Sequence, residues 1–127
     1  MDLLEGNGIL SLFQAVIALS VLRVWLINFN KPTKWRGASA MSMREEFEAY
    51  GLPDWVLYMV GFLKVAFSIG LLAGIWLPEL VVTSATGIAF FMFFAILMHI
   101  KVKDPIVKSI PAITFLTLSI LIVLLFE

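Results

Sequence analysis

The chain is 127 residues long, 61% hydrophobic and only 14% charged, with zero formal net charge, one histidine and no cysteine. Its mean hydropathy is +1.02, and a soluble domain ordinarily carries about a quarter charged residues, so the excess apolar surface must face lipid or partner subunits. The lack of cysteine excludes disulfides, thiolate nucleophiles and Cys-bound iron–sulfur clusters within the chain. His99 alone cannot build a bis-histidine haem or multi-histidine zinc site, and the absence of a basic tail argues against nucleic acid as a partner.

Met1–Gly8 holds Asp2 and Glu5 but no Lys or Arg. A cleaved signal begins with positive charge, so this segment reads as a tail before a retained membrane helix. The first apolar run, Ile9–Phe29, is long enough to cross the roughly 30 Å hydrocarbon core at about 1.5 Å per residue. Gln14 lies in the half of this span away from Arg23 and is expected to hydrogen-bond a neighbouring helix. Arg23 lies six residues before Phe29, about 9 Å deep, within snorkelling distance of the interface.

The loop Asn30–Asp54 carries Lys31, Lys34, Arg36 and Arg44. Within it, Ser42-Met43-Arg44-Glu45 fits a capping box and predicts a helix over Met43–Tyr50, stopped by Gly51 in a left-handed conformation with Pro53 two residues on. At 100° per residue, Met43, Phe47 and Tyr50 share one face, Glu46 flanks it, and Glu45 and Glu48 point away. Such an amphipathic helix either dips into the membrane surface or covers the end of a bundle.

The second span, Trp55–Leu77, contains Lys64 nine residues after Trp55, about 13–14 Å deep. A charge there costs at least a few kcal/mol even on lenient insertion scales, so Lys64 is expected to face the bundle interior, a wet cavity or a partner. Gly70 and Gly74 form a GxxxG pair that lets helices approach closely, as does Ala85 with Ala89. The short Pro78–Glu79 turn makes the second and third spans antiparallel neighbours. The third span, Leu80–Ile100, carries the aromatic run Phe90-Phe91-Met92-Phe93-Phe94 and ends at His99, expected as an interfacial side chain beside Lys101 and Lys103. The fourth, Ile106–Phe126, bears Thr114, Thr117 and Ser119, expected to bond their own backbone.

The fold class these elements predict is all-α: one integral membrane four-helix bundle over residues 1–127, with a short amphipathic helix in the first long loop. All loop lysines and arginines fall in the two longer connections and the flank at Lys108. By the positive-inside rule, loops 30–54 and 101–105 are expected on the cytoplasmic side and both termini outside. Trp25, Trp35, Trp55, Trp76 and Tyr50 sit at or near span boundaries, where interfacial aromatics collect.

No acidic residue lies inside any span, and the antiparallel order puts Arg23 and Lys64 in the same half of the bilayer. Two unpaired cations there require something anionic, or loss of the lysine proton. The candidates are Glu46, favoured first, Asp104, or an anionic ligand. Arg23, Glu46, Lys64 and His99 are the candidate ligand-binding residues; no catalytic or metal-binding set is evident.

Ser42–Pro53 (SMREEFEAYGLP), Gly61-Phe62-Leu63-Lys64-Val65, Gly70–Trp76 (GLLAGIW) and His99–Pro105 (HIKVKDP) together resemble the DoxX-like family of small four-helix membrane proteins, in order over most of the chain. The resemblance implies a four-helix membrane bundle. The family's namesake is similar to a membrane subunit of a thiosulfate:quinone oxidoreductase, and other distant relatives look like assembly factors. Many relatives carry a Glu where this chain has Lys64, so no role of a membrane-embedded carboxylate is carried over.

The leading expectation is a membrane subunit that binds a small ligand, a quinone or a small anion, in a redox or detoxification system. A quinone is the candidate cofactor, because it needs an apolar slot with one or two donors, which Arg23, Lys64 or His99 could supply. The alternatives are a structural or assembly factor for a partner membrane protein, or a small oligomeric transporter. The expected partners are the lipid bilayer and either a second subunit or further copies of the chain. The two membrane-embedded cations offer no acid–base pair, so no autonomous enzyme is expected.

Overall fold

The computed structural model describes residues 7–127; the tail with Asp2 and Glu5 lies outside the described residues. Four helices are long and apolar enough to cross a membrane. Helix α1 (Gly8–Leu22) continues into a π-helical turn, Arg23–Ile27. Helix α2 (Met43–Ala49) is the short loop helix, followed by α3 (Asp54–Ala73), α4 (Val81–Lys101) and α5 (Ile110–Leu125). Single 3-10 turns at Pro78–Leu80 and Ile106–Ser109 lead into α4 and α5. The first span is therefore not α-helical to Phe29, and the last becomes α-helical four residues later than its apolar run begins. Proline explains the second difference, since Pro105 and Pro111 both withhold an N–H at that helix start.

The long helices pack in the cyclic order α1, α3, α4, α5, with α1 closing the ring against α5. The half distant from the two long loops is tightly sealed. Ile17, Leu71, Val81, Ala85, Ile88 and Ile122 are all fully buried there. The glycine pair supplies the close approach: a Cβ on Gly70 would strike Ser84 Oγ and one on Gly74 would lie 2.6 Å from Val81 Cγ2, both on α4. Gln14 Nε2 donates to the Leu71 carbonyl at 2.9 Å, tying α1 to α3 across a buried contact as its sequence position predicts. Thr114 and Thr117 donate to the carbonyls four residues back, at 2.8 Å each. Ser119 does not: among the described residues its hydroxyl, like that of Ser68, is buried without a hydrogen-bond partner.

Helix α2 forms where the capping box places it. Ser42 Oγ accepts from the Glu45 N–H at 3.2 Å, and Gly51 takes the left-handed conformation at φ 80°. Met43, Glu46, Phe47 and Tyr50 turn inward while Glu45 and Glu48 stay exposed. The helix covers the bundle end: Phe47 packs edge-on against Trp25 at 5.9 Å between ring centroids. Trp25 is itself buried, so it is a core side chain rather than a boundary aromatic, whereas Trp55 and Trp76 are exposed at helix ends.

Candidate functional site

The half of the bundle beneath α2 frames a cavity of about 920 Å³ that is partly open to the outside. Its walls come from all four long helices and from α2, and they include each of Arg23, Glu46, Lys64 and His99. The rest is mostly apolar, aliphatic and aromatic, with Trp25, Phe90, Phe91 and Phe115 among the aromatic rings.

The π turn helps build this space. Widening the helix by one residue per turn is a local feature often found at functional sites; here it lets Arg23, Val24 and Trp25 in succession border the cavity. Gly61 of α3 makes room for the indole, since a Cβ there would lie 2.6 Å from Trp25 Cζ3. One turn further along α3, Lys64 Nζ stands 5.6 Å from the Trp25 ring centroid, within cation–π range. Among the described residues, neither Lys64 nor Arg23 has a carboxylate within 4.0 Å.

Glu46, the companion favoured for these cations, is engaged elsewhere. Its Oε1 accepts from Arg36 Nη1 at 3.0 Å, and its Oε2 accepts from the Gly37 N–H at 2.8 Å and the Tyr50 hydroxyl at 2.7 Å. Arg36 is buried and also donates to the carbonyls of Asn28 at 2.6 Å and Lys31 at 3.0 Å. The pair thus fastens the first long loop over the end of α1. Burial, and then the Glu46 carboxylate, push the Tyr50 phenol well above its ordinary value of 10.0, so it serves as a hydrogen-bond donor throughout the neutral range.

The second candidate, Asp104, is occupied as well. Its Oδ2 lies 2.7 Å from His99 Nδ1, its Oδ1 accepts from the Ala38 N–H at 2.9 Å, and Lys108 Nζ stands 3.8 Å from Oδ1. Lys108 also donates to the Ala38 carbonyl. Ala38 adopts φ 52°, a left-handed conformation that costs a non-glycine residue roughly 1–2 kcal/mol; the two-sided grip on its peptide groups holds it there. His99 is buried, with its ring edge-on to Tyr50 at 6.1 Å, so it is an interior side chain and not an interfacial one.

Three residues not singled out from the sequence as site members therefore shape this end, Trp25, Arg36 and Tyr50, while Asp104, a candidate companion for the two cations, is bound to His99 instead. Arg36 reads as one more loop cation. Its signal was the neighbouring Gly37, whose bare backbone fits beneath the Tyr50 ring, together with an inward-facing Glu46 that needed a cation. Among the described residues no group of three or more His, Cys, Asp or Glu could hold a metal ion.

A model of the DoxX-like family matches residues 13–122. The chain belongs to the DoxX-like family. The matched residues include α2, α3 and α4 whole, most of α1 and α5, and every cavity residue named above, so the site lies within the family's own fold and the protein is an integral membrane protein. Comparison with curated proteins and with solved structures finds no match.

Proposed function

We propose that this DoxX-like protein is a small-ligand-binding membrane subunit whose cavity receives an amphipathic molecule with an electron-rich oxygen head, a quinone or a small organic anion, in a redox or detoxification process. The observation that carries the reading is that Arg23 and Lys64 border one aromatic-lined cavity while both nearby carboxylates are held by other partners. Arg23 is exposed at the π turn, whereas Lys64 is partly buried at mid-span, where a cation is costly without a companion. An oxygen head resting on the guanidinium and ammonium supplies one, and flat apolar rings suit the aromatic walls. The volume falls in the ordinary range for small-molecule sites, about 300–1,000 Å³. The loop lysines and arginines support an orientation with this end on the cytoplasmic side.

The test is titration in lipid nanodiscs with a short-chain quinone and with an anionic naphthalene sulfonate, read by quenching of Trp25 in a variant with the other tryptophans replaced by Phe. Saturable quenching by either probe, weakened at least tenfold by Lys64→Met, is the expected result. Equal affinity for Lys64→Met, in a protein that folds normally, would remove this reading.

A further inference from the structure

The cavity is bordered by an imidazole, His99, as well as by Arg23 and Lys64. An aspartate carboxylate is ionised at neutral pH and can only accept hydrogen bonds. With Asp104 Oδ2 at 2.7 Å, His99 Nδ1 must carry the proton in the neutral ring. Its Nε2 then presents a lone pair. Nε2 has no protein partner among the described residues, and it is not a sealed, unsatisfied atom; His99 lines the cavity.

The other ionisable groups bordering the cavity are accounted for. Glu46, Arg36 and Tyr50 are bound to one another on the α2 side, and Lys108 is held by Ala38 and Asp104 on the α5 side. Arg23 from α1 and Lys64 from α3 remain, and neither has a carboxylate within 4.0 Å among the described residues.

Resting on the ligand-binding function above, we infer that the occupant is an amphipathic weak acid with an acidic O–H, and that the site binds it as the conjugate base. The O–H bond of the ligand breaks, its proton passes to His99 Nε2, and the electron pair stays on the ligand oxygen. The resulting imidazolium is stabilised through Nδ1–H by Asp104. The oxyanion is stabilised by Arg23 and Lys64 in a setting of low dielectric. No net charge enters or leaves, so a neutral molecule arriving from the membrane is trapped as an internal ion pair. Phenols, hydroquinones and carboxylic acids share this chemistry.

The probe is a nitrophenol bearing a hexyl chain, whose phenol and phenolate forms differ in colour, added to the full-length protein in nanodiscs alongside a membrane-impermeant pH indicator. The bound probe should ionise at least about one pH unit below the same probe in protein-free nanodiscs, a tenfold change in its ionisation constant. Lys64→Met and Arg23→Gln should each abolish most of that shift. Below the free probe's own midpoint, binding to the wild type should give phenolate colour with no proton released to the bulk. His99→Gln should either leave the bound probe as phenol or release one proton per phenolate formed. Asp104→Asn, which keeps the ring but lets Nε2 carry the proton, should do the same if His99→Gln does not fold.

A probe that binds saturably but stays phenol, or one whose proton appears in the bulk with the wild type, would overturn the inference. Quinone quenching of Trp25 without nitrophenol binding would also overturn it, while leaving the ligand-binding function standing. Failure of both probes would remove the two together. A carboxylic acid arm, a nitrobenzoic acid carrying a hexyl chain on the ring, separates carboxylate from phenolate sources: its ionisation shift should match that of the nitrophenol if the head group is any O–H acid, and an absent shift would confine the site to phenols.

Discussion

The two halves of the bundle solve the same problem differently. In the half away from the long loops, polar side chains are few, with Gln14 bonded and the Ser68 and Ser119 hydroxyls buried without a partner among the described residues, and large side chains such as Ile17, Leu71, Ile88 and Ile122 are fully enclosed. Small residues do the work: Gly70 and Gly74 let α4 lie close against α3. Among the described residues of the half beneath α2, Leu57 alone is as completely buried, and a cavity of about 920 Å³ takes the place of packed side chains. An apolar bundle in lipid gains little from the hydrophobic effect between its helices. On the proposed function, an occupant fills the region left open beneath the ion-paired loop, bordered by Arg23 and Lys64.

The largest expected effect that would break this contrast is on the cover. Glu46→Ala strands a buried guanidinium, and breaking a buried pair in this way costs roughly 3–5 kcal/mol. Thermal unfolding in detergent should show the loss, with new proteolytic nicking in residues 30–42. An unchanged unfolding midpoint would mean that the Arg36–Glu46 bond does not hold the cover.

Overpacking should separate the halves next. Gly74→Val forces α3 and α4 apart and should cost about 1–3 kcal/mol. Val60→Leu extends into the cavity wall and should be near neutral by the same measurement. Similar losses at both positions would show that the open half is as tightly packed as the sealed one.

A pH experiment sharpens the account of the cover. The Tyr50 phenol is raised above 10.0 by burial and by Glu46. The unfolded chain therefore loses this proton near pH 10 while the folded one keeps it. Its contribution is fully present below pH 10 and declines above it, by up to about 1.4 kcal/mol per pH unit. Tyr50→Phe should remove that part of the alkaline slope in pH-dependent unfolding; an identical slope would place the phenol in solvent.

The smallest effect belongs to Gln14→Leu in the sealed half. It removes the bond to the Leu71 carbonyl and should cost about 0.6 kcal/mol, as such bonds between membrane helices typically do. Destabilisation of several kcal/mol would show that α1 and α3 depend on this contact far more than on small-residue packing.

Much of the architecture was legible in the sequence, because lipid imposes a length and polarity rule that four apolar runs can satisfy in few ways. Ser42, Gly51 and the inward face of α2 were legible for local reasons, capping and periodicity. The convergence of Arg23 and Lys64 on one half followed from alternating helix direction. The charge pairing was not legible, since Glu46 could reach several cations and only the loop path brings Arg36 to it. The His99–Asp104 contact was hidden for the same reason: Asp104 bonds the His99 carbonyl through its N–H at 3.0 Å, a tight turn that folds the carboxylate back onto the ring. The π turn at Arg23–Ile27 left no clear mark in residue type.

Native mass spectrometry of the protein extracted in mild detergent tests the central claim most directly. The account predicts a small molecule retained on the wild-type chain and lost from a folded Arg23→Gln, Lys64→Met double variant. A wild-type chain that carries no small molecule, or that holds the same one as tightly after both cations are removed, would contradict it.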